Sequence, residues 1–302
     1  MNSTPHTSLT ADGGRRRANH RRLLLLVRPR LSLMVACSTW VGFLLADSGP
    51  ISNGIIATAA ILLLSAASSI INQLQERSSD ARMERTRLRP LAAGTLSPAQ
   101  GLSIALVLAT AGVLLLLTLP SPQPLIFGLL AILWYNGVYT PLKKMTPFAV
   151  IPGTLCGALP PLIGWAASGQ SALSTPPLLL AGTLIIWQVP HFWLLASRHR
   201  ADHGKSGLPD IFQAVAQQTF YRIIGCWLAA LFSVYLLFPL LGLVRHPALS
   251  VLYLVALSGI LVAGFGVLRT PLRESDARLF LLVNLSLLLL FAVLITDRLL
   301  GV

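Results

Sequence analysis

The chain has 302 residues, 54% hydrophobic and only 11% charged, against about a quarter charged in a water-soluble domain. That balance excludes an ordinary soluble protein and predicts an all-α integral membrane protein. The net charge of +13 would suit nucleic acid on an exposed face, but the Lys and Arg fall between apolar runs, as in cytoplasmic loops of polytopic membrane proteins, and no nucleic-acid partner is expected.

Residues 1–28 read as a disordered basic cytoplasmic tail with Arg15, Arg16, Arg17, Arg21 and Arg22 clustered. No small-residue cleavage site follows the first apolar run, so a secretory signal is not predicted. The tail is Arg-rich and poor in acid, which also suits a mitochondrial transit peptide. The expected location is therefore a bacterial inner (plasma) membrane, with the mitochondrial inner membrane as the alternative.

A spanning helix needs about 20 mostly apolar residues. Runs at 29–46, 51–75, 100–119, 122–139, 148–168, 176–198, 222–243, 247–268 and 278–297 meet that need, and Pro or Gly marks most joints. Residues 29–302 thus form one nine-helix domain. With the N-terminus in the cytoplasm, 21 of the 23 Lys and Arg fall on the inner side, leaving only Arg245 and Arg298 outside. A wrong number of spans would scramble that segregation. Cys37, Cys156 and Cys226 lie singly in apolar runs without CxxC spacing, so neither a disulfide framework nor a zinc site is predicted.

The second span ends in NQLQERSSDARMERTRLRP, residues 72–90. Asn72, Glu76 and Asp80 are spaced i, i+4, i+8, which keeps them on one helix face. The row descends from membrane depth to the mouth of a loop, where unpartnered polar groups are costly. Hard oxygen donors in a row suit Mg²⁺, which completes its shell with waters and substrate phosphates. Arg85, Arg87 and Arg89 follow, and guanidinium groups hold phosphate through paired hydrogen bonds. The combination points to a metal–diphosphate site at the membrane surface. A solvated, salt-bridged loop would account for the arginines but not for Asn72 and Glu76.

Two later inner loops carry matching parts. YTPLKK, residues 139–144, supplies Lys143 and Lys144, as anion ligands or as plain anchors. HFWLLASRHRADHGKSGLPD, residues 191–210, supplies Arg198, Asp202, Lys205 and Asp210. Asp202 lies one helical turn from Arg198 and would either pair with it or join the metal site.

Asn72-x3-Glu76-x3-Asp80 followed by RTRLRP resembles the N-x3-D-x3-D…RTxxRP signature of the UbiA-type intramembrane prenyltransferases, and YTPLK resembles their Y-x3-K segment. Within that superfamily the chain is most similar to the protohaem IX farnesyltransferases, through RPRLSLMV (28–35), YTPLKKMTPFAVIPGTLCGALPPLIGW (139–165), WQVPHFW (187–193) and DARLFLL (276–282). The resemblance implies nine helices around a central cavity open to the cytoplasm, with Mg²⁺ as cofactor and farnesyl diphosphate and haem b as substrates. A downstream haem-modifying enzyme is an implied partner. Carried over, Asn72, Glu76, Asp80 and Asp202 hold metal. Arg85, Arg89, Lys143, Lys144 and Arg198 face the diphosphate. His191 and Trp187 contact haem, unless His191 bonds a neighbouring helix and Trp187 merely packs.

Three positions depart from the pattern: Glu76 stands for the commoner Asp, His203 for the usual Tyr, and Asp210 is an unexpected acid. Two rivals remain at this stage. A prenyltransferase with a quinone-precursor, aromatic-acid or chlorin acceptor shares the charged mouth. A transporter would place polar residues deep in several helices on both sides of the midplane, whereas here they gather at the inner ends.

Overall fold

The computed structural model describes residues 22–200, 207–269 and 275–301. Among the described residues, nine helices are long and apolar enough to cross a membrane, and no strand occurs. They are α1 (Pro29–Ala46), α2 (Ile51–Arg82), α3 (Pro98–Leu117), α4 (Gln123–Leu142), α5 (Pro147–Ala167), α6 (Thr175–Arg198), α7 (Gln217–Leu240), α8 (Pro247–Arg269) and α9 (Ser275–Leu299). The joints are written in the sequence. Ser97 and Gln100 form a reciprocal capping box at the start of α3, with Pro98 in its first turn.

Several boundaries differ from the pattern of hydropathy; α7 starts at Gln217 and α9 at Ser275, and two further differences bear on the site. α2 runs on past residue 75 to Arg82, because Asn72, Gln73, Glu76 and Asp80, buried together with Ser79, find polar partners on neighbouring segments. Residues 22–27, grouped with the tail on charge alone, form a helix. Leu26 packs there with Ile70, Leu91 and Ala105, and Gln73 Nε2 donates to the Leu26 carbonyl at 2.7 Å. The first 21 residues lie outside the described part.

α1 packs against α2 and α5. The α1–α5 crossing depends on two glycines: a Cβ on Gly42 would meet the Pro161 carbonyl at 2.2 Å, and one on Gly164 the Thr39 carbonyl at 1.8 Å. Larger residues would push the helices apart. α7, α8 and α9 form a second group that joins the first through α6. Trp187 Nε1 of α6 donates to the Val283 carbonyl of α9 (2.8 Å), and Tyr253 Oη of α8 to the Tyr235 carbonyl of α7 (3.2 Å). α1, α2, α4, α5 and α6 surround the principal cavity.

Candidate active site

One face of α2 carries both an apolar cavity and a charged mouth. Ile61, Leu64, Ser65, Ser68 and Ser69 line a cavity of roughly 810 Å³. The same face continues to Asn72, Glu76 and Asp80, all buried. At the helical rise, Ile61 and Asn72 are about 16 Å apart along the axis. The cavity is completed by Leu31 and Val35 of α1, Tyr135 and Tyr139 of α4, Cys156, Gly157 and Pro160 of α5, and Gln188 and Phe192 of α6. Gly157 keeps the α5–α6 wall thin, since a Cβ there would lie 2.4 Å from Gln188 Oε1.

Polar contacts fasten the charged end of this face to α4. Asn72 Nδ2 donates to Thr140 Oγ1 (3.2 Å), and that hydroxyl donates to the Tyr135 carbonyl (2.8 Å). Gln75 Nε2 donates to the Asn136 carbonyl at 2.9 Å. Lys143 Nζ stands 2.6 Å from Glu76 Oε1, and Lys144 Nζ donates to the Gln75 carbonyl at 3.1 Å. The local sequence explains the partners α4 offers. Trp134–Tyr139 winds as a π-helix in which the Tyr135 carbonyl also accepts the Thr140 N–H, whereas the Asn136 carbonyl stands five residues before Pro141, which has no N–H, and takes the Gln75 amide instead.

The RTRLRP loop folds back over the end of α2. Thr86 Oγ1 donates to the Asp80 carbonyl (2.9 Å), and Arg89 Nη1 reaches Asp80 Oδ2 at 2.6 Å. Arg85 sits on the exposed surface of the same loop. Burial holds the Lys143 ammonium below the ordinary lysine value; Glu76 opposes the shift and the Arg28 charge adds to it.

Arg28 is a residue that motif reasoning passed over. It is half-buried, its backbone is left-handed (φ 50°, ψ 60°), and it immediately precedes Pro29. Such backbone strain concentrates at functional sites. Leu31 and Val35, one and two turns on, line the cavity beneath it. The Arg-Pro dipeptide was the available signal, because a proline restricts the residue before it. Gln75 and Thr140 were also missed; for Gln75 the signal was Pro141 and its missing donor.

Other expected residues lie elsewhere. Trp187 and His191 face α9 rather than the cavity: Trp187 bonds Val283, and the imidazole lies 5.0 Å from the Phe280 ring and 4.4 Å from the Trp187 ring. His191 Nδ1 is buried and makes no hydrogen bond. The α6 residues that face the cavity are Gln188 and Phe192. Arg198, at the end of α6, lies over the Phe280 ring at 5.0 Å. Asp210 caps the short turn Ile211–Ala214 by accepting from the Phe212 N–H (3.0 Å), which gives that unexpected acid a structural role. Asp202, His203 and Lys205 lie outside the described residues.

The donor set suits a hard divalent cation. Two carboxylates and an amide share one face of α2, and Mg²⁺ typically takes only one or two protein carboxylates beside phosphates and water. Each carboxylate pairs with a cation, Glu76 with Lys143 and Asp80 with Arg89, and phosphate oxygens attract both cations. Among the described residues no three of His, Cys, Asp or Glu converge by themselves.

Comparison with known proteins agrees with this geometry. The UbiA prenyltransferase family profile matches residues 35–290. A protoheme IX farnesyltransferase of Geobacter sulfurreducens is 39% identical over 74% of this chain and 82% of its own length. The protoheme IX farnesyltransferase of Oleidesulfovibrio alaskensis is 34% identical over 91% and 95%. Among solved structures, an apo UbiA homologue from Aeropyrum pernix superposes with a TM-score of 0.71 at 16% identity, covering 90% of this chain and 99% of that one. A UbiA homologue from Archaeoglobus fulgidus bound to GPP and Mg²⁺ gives 0.65 at 15% identity, with the same coverage.

Proposed function

Because the chain belongs to the UbiA prenyltransferase family, we propose that it transfers the farnesyl group of farnesyl diphosphate to a vinyl group of haem b, with addition of water, giving haem O and diphosphate. The observation that carries the donor half is the single face of α2, which lines a mainly apolar cavity from Ile61 to Ser69 and carries Asn72, Glu76 and Asp80 beyond it. A prenyl diphosphate has the same two-part character, a long apolar chain ending in a multiply charged head. The acceptor half rests on relatives of this name that align along most of the chain.

Mg²⁺, held by Asn72, Glu76 and Asp80 with Asp202 as a further ligand, would neutralise charge on the departing diphosphate. Lys143 and Arg89 are placed to hold phosphate oxygens, with Lys144, Arg85 and Arg198 as outer cations. The C1–O bond of the donor breaks and its electron pair leaves with diphosphate. The vinyl π electrons then attack the allylic cation, and water captures the resulting cation with loss of a proton. The apolar cavity accommodates the C15 chain and limits premature capture by water. His191, whose Nδ1 lacks a partner, is the proposed haem contact, which puts the acceptor on the α9 side of α6, and Trp187 supports its ring face. The segregation of Lys and Arg supports a cytoplasmic mouth and N-terminus, and bacterial relatives support an inner-membrane location. The product would pass to a haem-modifying enzyme.

The test is to incubate the purified protein with haem b, farnesyl diphosphate and Mg²⁺ and to seek a farnesylated, hydroxylated porphyrin by mass. Its formation, abolished by EDTA, is expected. Prenylation of quinone precursors alone would overturn the acceptor assignment.

A further inference from the structure

A second site lies between α7 and α8, at the same end of the bundle as the Tyr221–Asp276 and Ser197–Asp276 contacts. An open cleft there is lined by Gln217, Gln218, Tyr221 and Arg222 at the start of α7 and by Leu268 and Arg269 at the end of α8. Arg222 and Arg269 stand on opposite walls and are exposed. No carboxylate among the described residues pairs with either of them. The cleft also contains the N-terminus of α7, whose N-cap Ala216 makes no side-chain hydrogen bond and whose first turn holds no acid. Uncapped N–H groups there add positive potential to the two guanidinium charges.

An apolar groove continues the cleft into the membrane. On α7, Tyr221, Gly225, Leu228 and Phe232 follow at four, three and four residues, descending one face. On α8, Leu268, Gly264, Leu261 and Leu257 descend the antiparallel face. The lower members of both rows line a second groove of roughly 330 Å³, which α9 closes from behind. Gly225 and Gly264 let the helices approach closely along the seam, since a Cβ on either would stand in ordinary contact with a leucine methyl of the facing helix, at 3.5 or 3.6 Å. α7 and α8 are among the least buried helices, so the groove opens toward lipid.

We infer that this seam binds one anionic phospholipid, its phosphate between Arg222 and Arg269 and an acyl chain in the α7–α8 groove. Basic clefts between membrane helices hold anionic head groups in this way. The site is independent of prenyl transfer, though not mechanically isolated. Tyr221, in its wall, donates to Asp276 at 2.8 Å, and Ser197 at the end of α6 donates to the other oxygen of the same carboxylate. An occupied cleft therefore braces the point where α6 leaves the membrane.

The test is lipid retention, which needs no catalytic turnover. Protein purified in neutral detergent is titrated with phosphatidylglycerol, with phosphatidylcholine of equal chain length and with glycerol 3-phosphate, and bound lipid is counted by native mass spectrometry. Saturable binding of one phosphatidylglycerol is expected, weakened roughly thirtyfold in Arg222→Gln/Arg269→Gln if each arginine contributes as basic residues near anionic lipid do. Arg77→Gln/Arg87→Gln, which removes two exposed charges elsewhere at this end, should stay within about twofold of wild type, because charge removed away from the cleft breaks no contact with the lipid. Equal binding of phosphatidylcholine, equal damage from the two double variants, or glycerol 3-phosphate binding as tightly as the lipid would each overturn the assignment.

Discussion

The two ends of the bundle both pair carboxylates with cations at the same distances, and they differ in what the pairing leaves open. At the mouth, Glu76 meets Lys143 and Asp80 meets Arg89, both at 2.6 Å. At the far end, Asp47 meets Arg245 at 2.6 Å and Asp297 meets Arg298 at 2.7 Å. Asp297 is fully buried and saturated: besides Arg298 it accepts the Arg245 and His246 N–H groups at 2.8 and 2.9 Å, tying the α7–α8 turn to the end of α9. The mouth carboxylates instead continue the face of α2 that lines the cavity, and their cations come from the RTRLRP loop and the end of α4. Nearly identical contact lengths thus make a saturated fastening at one end and, in the function proposed above, a ligand set at the other. Distance alone does not separate them; the surroundings do.

That contrast breaks most sharply at Asp80. Asp80→Ala should lower turnover roughly a thousandfold, the scale of losing a main electrostatic contact to a developing charge. The protein should still insert and melt near the wild-type temperature, because Arg89 is partly exposed and can turn to water. Turnover measured on folded, purified variant checks this, and wild-type activity would remove Asp80 from the site. Asp297→Ala should do the reverse. It strands a buried guanidinium and two N–H groups, at about 3–5 kcal/mol of stability. Thermal unfolding in detergent should show the loss, while activity per folded molecule stays close to wild type.

Much of this contrast was legible in the sequence, for stated physical reasons. Span positions follow from hydropathy, and Asn72, Glu76 and Asp80 share a face because their spacing is helical. The continuation of α2 to Arg82 was not legible, because hydropathy ends a span at the first polar cluster, whereas burial of that cluster depends on donors and acceptors from α4 and the following loop. The far side of α6 was equally hidden. Trp187 and Gln188 are neighbours in sequence, and only the position of α9 decides that the indole bonds Val283 while the amide faces the cavity. The left-handed Arg28 needed the backbone itself, since Arg-Pro restricts the conformation without choosing this one.

Lys143→Ala sharpens the comparison within the mouth. Removing this ammonium leaves Glu76 without the Lys143 contact and, in the function proposed above, deprives a phosphate oxygen of a charge-assisted bond of about 1.5–3 kcal/mol. A ten- to hundredfold fall in kcat/KM for the prenyl diphosphate is expected, with the acceptor KM unchanged. A fall confined to the acceptor would place Lys143 on the wrong substrate.

The smallest effect belongs to Arg245→Ala at the far end. Its guanidinium and Asp47 form a 2.6 Å contact, yet their side chains are 42% and 51% exposed. Solvent screens such a pair, and exposed pairs contribute about 0.2–1 kcal/mol. The backbone N–H of residue 245, which Asp297 accepts, survives the substitution. Unfolding should therefore shift by no more than about 4 °C, at about 2–4 °C per kcal/mol for a chain of this order, and activity should not change. A loss as large as that of Asp297→Ala would mean that the exposed ion pair, rather than the buried carboxylate with its backbone donors, holds this end of the bundle together.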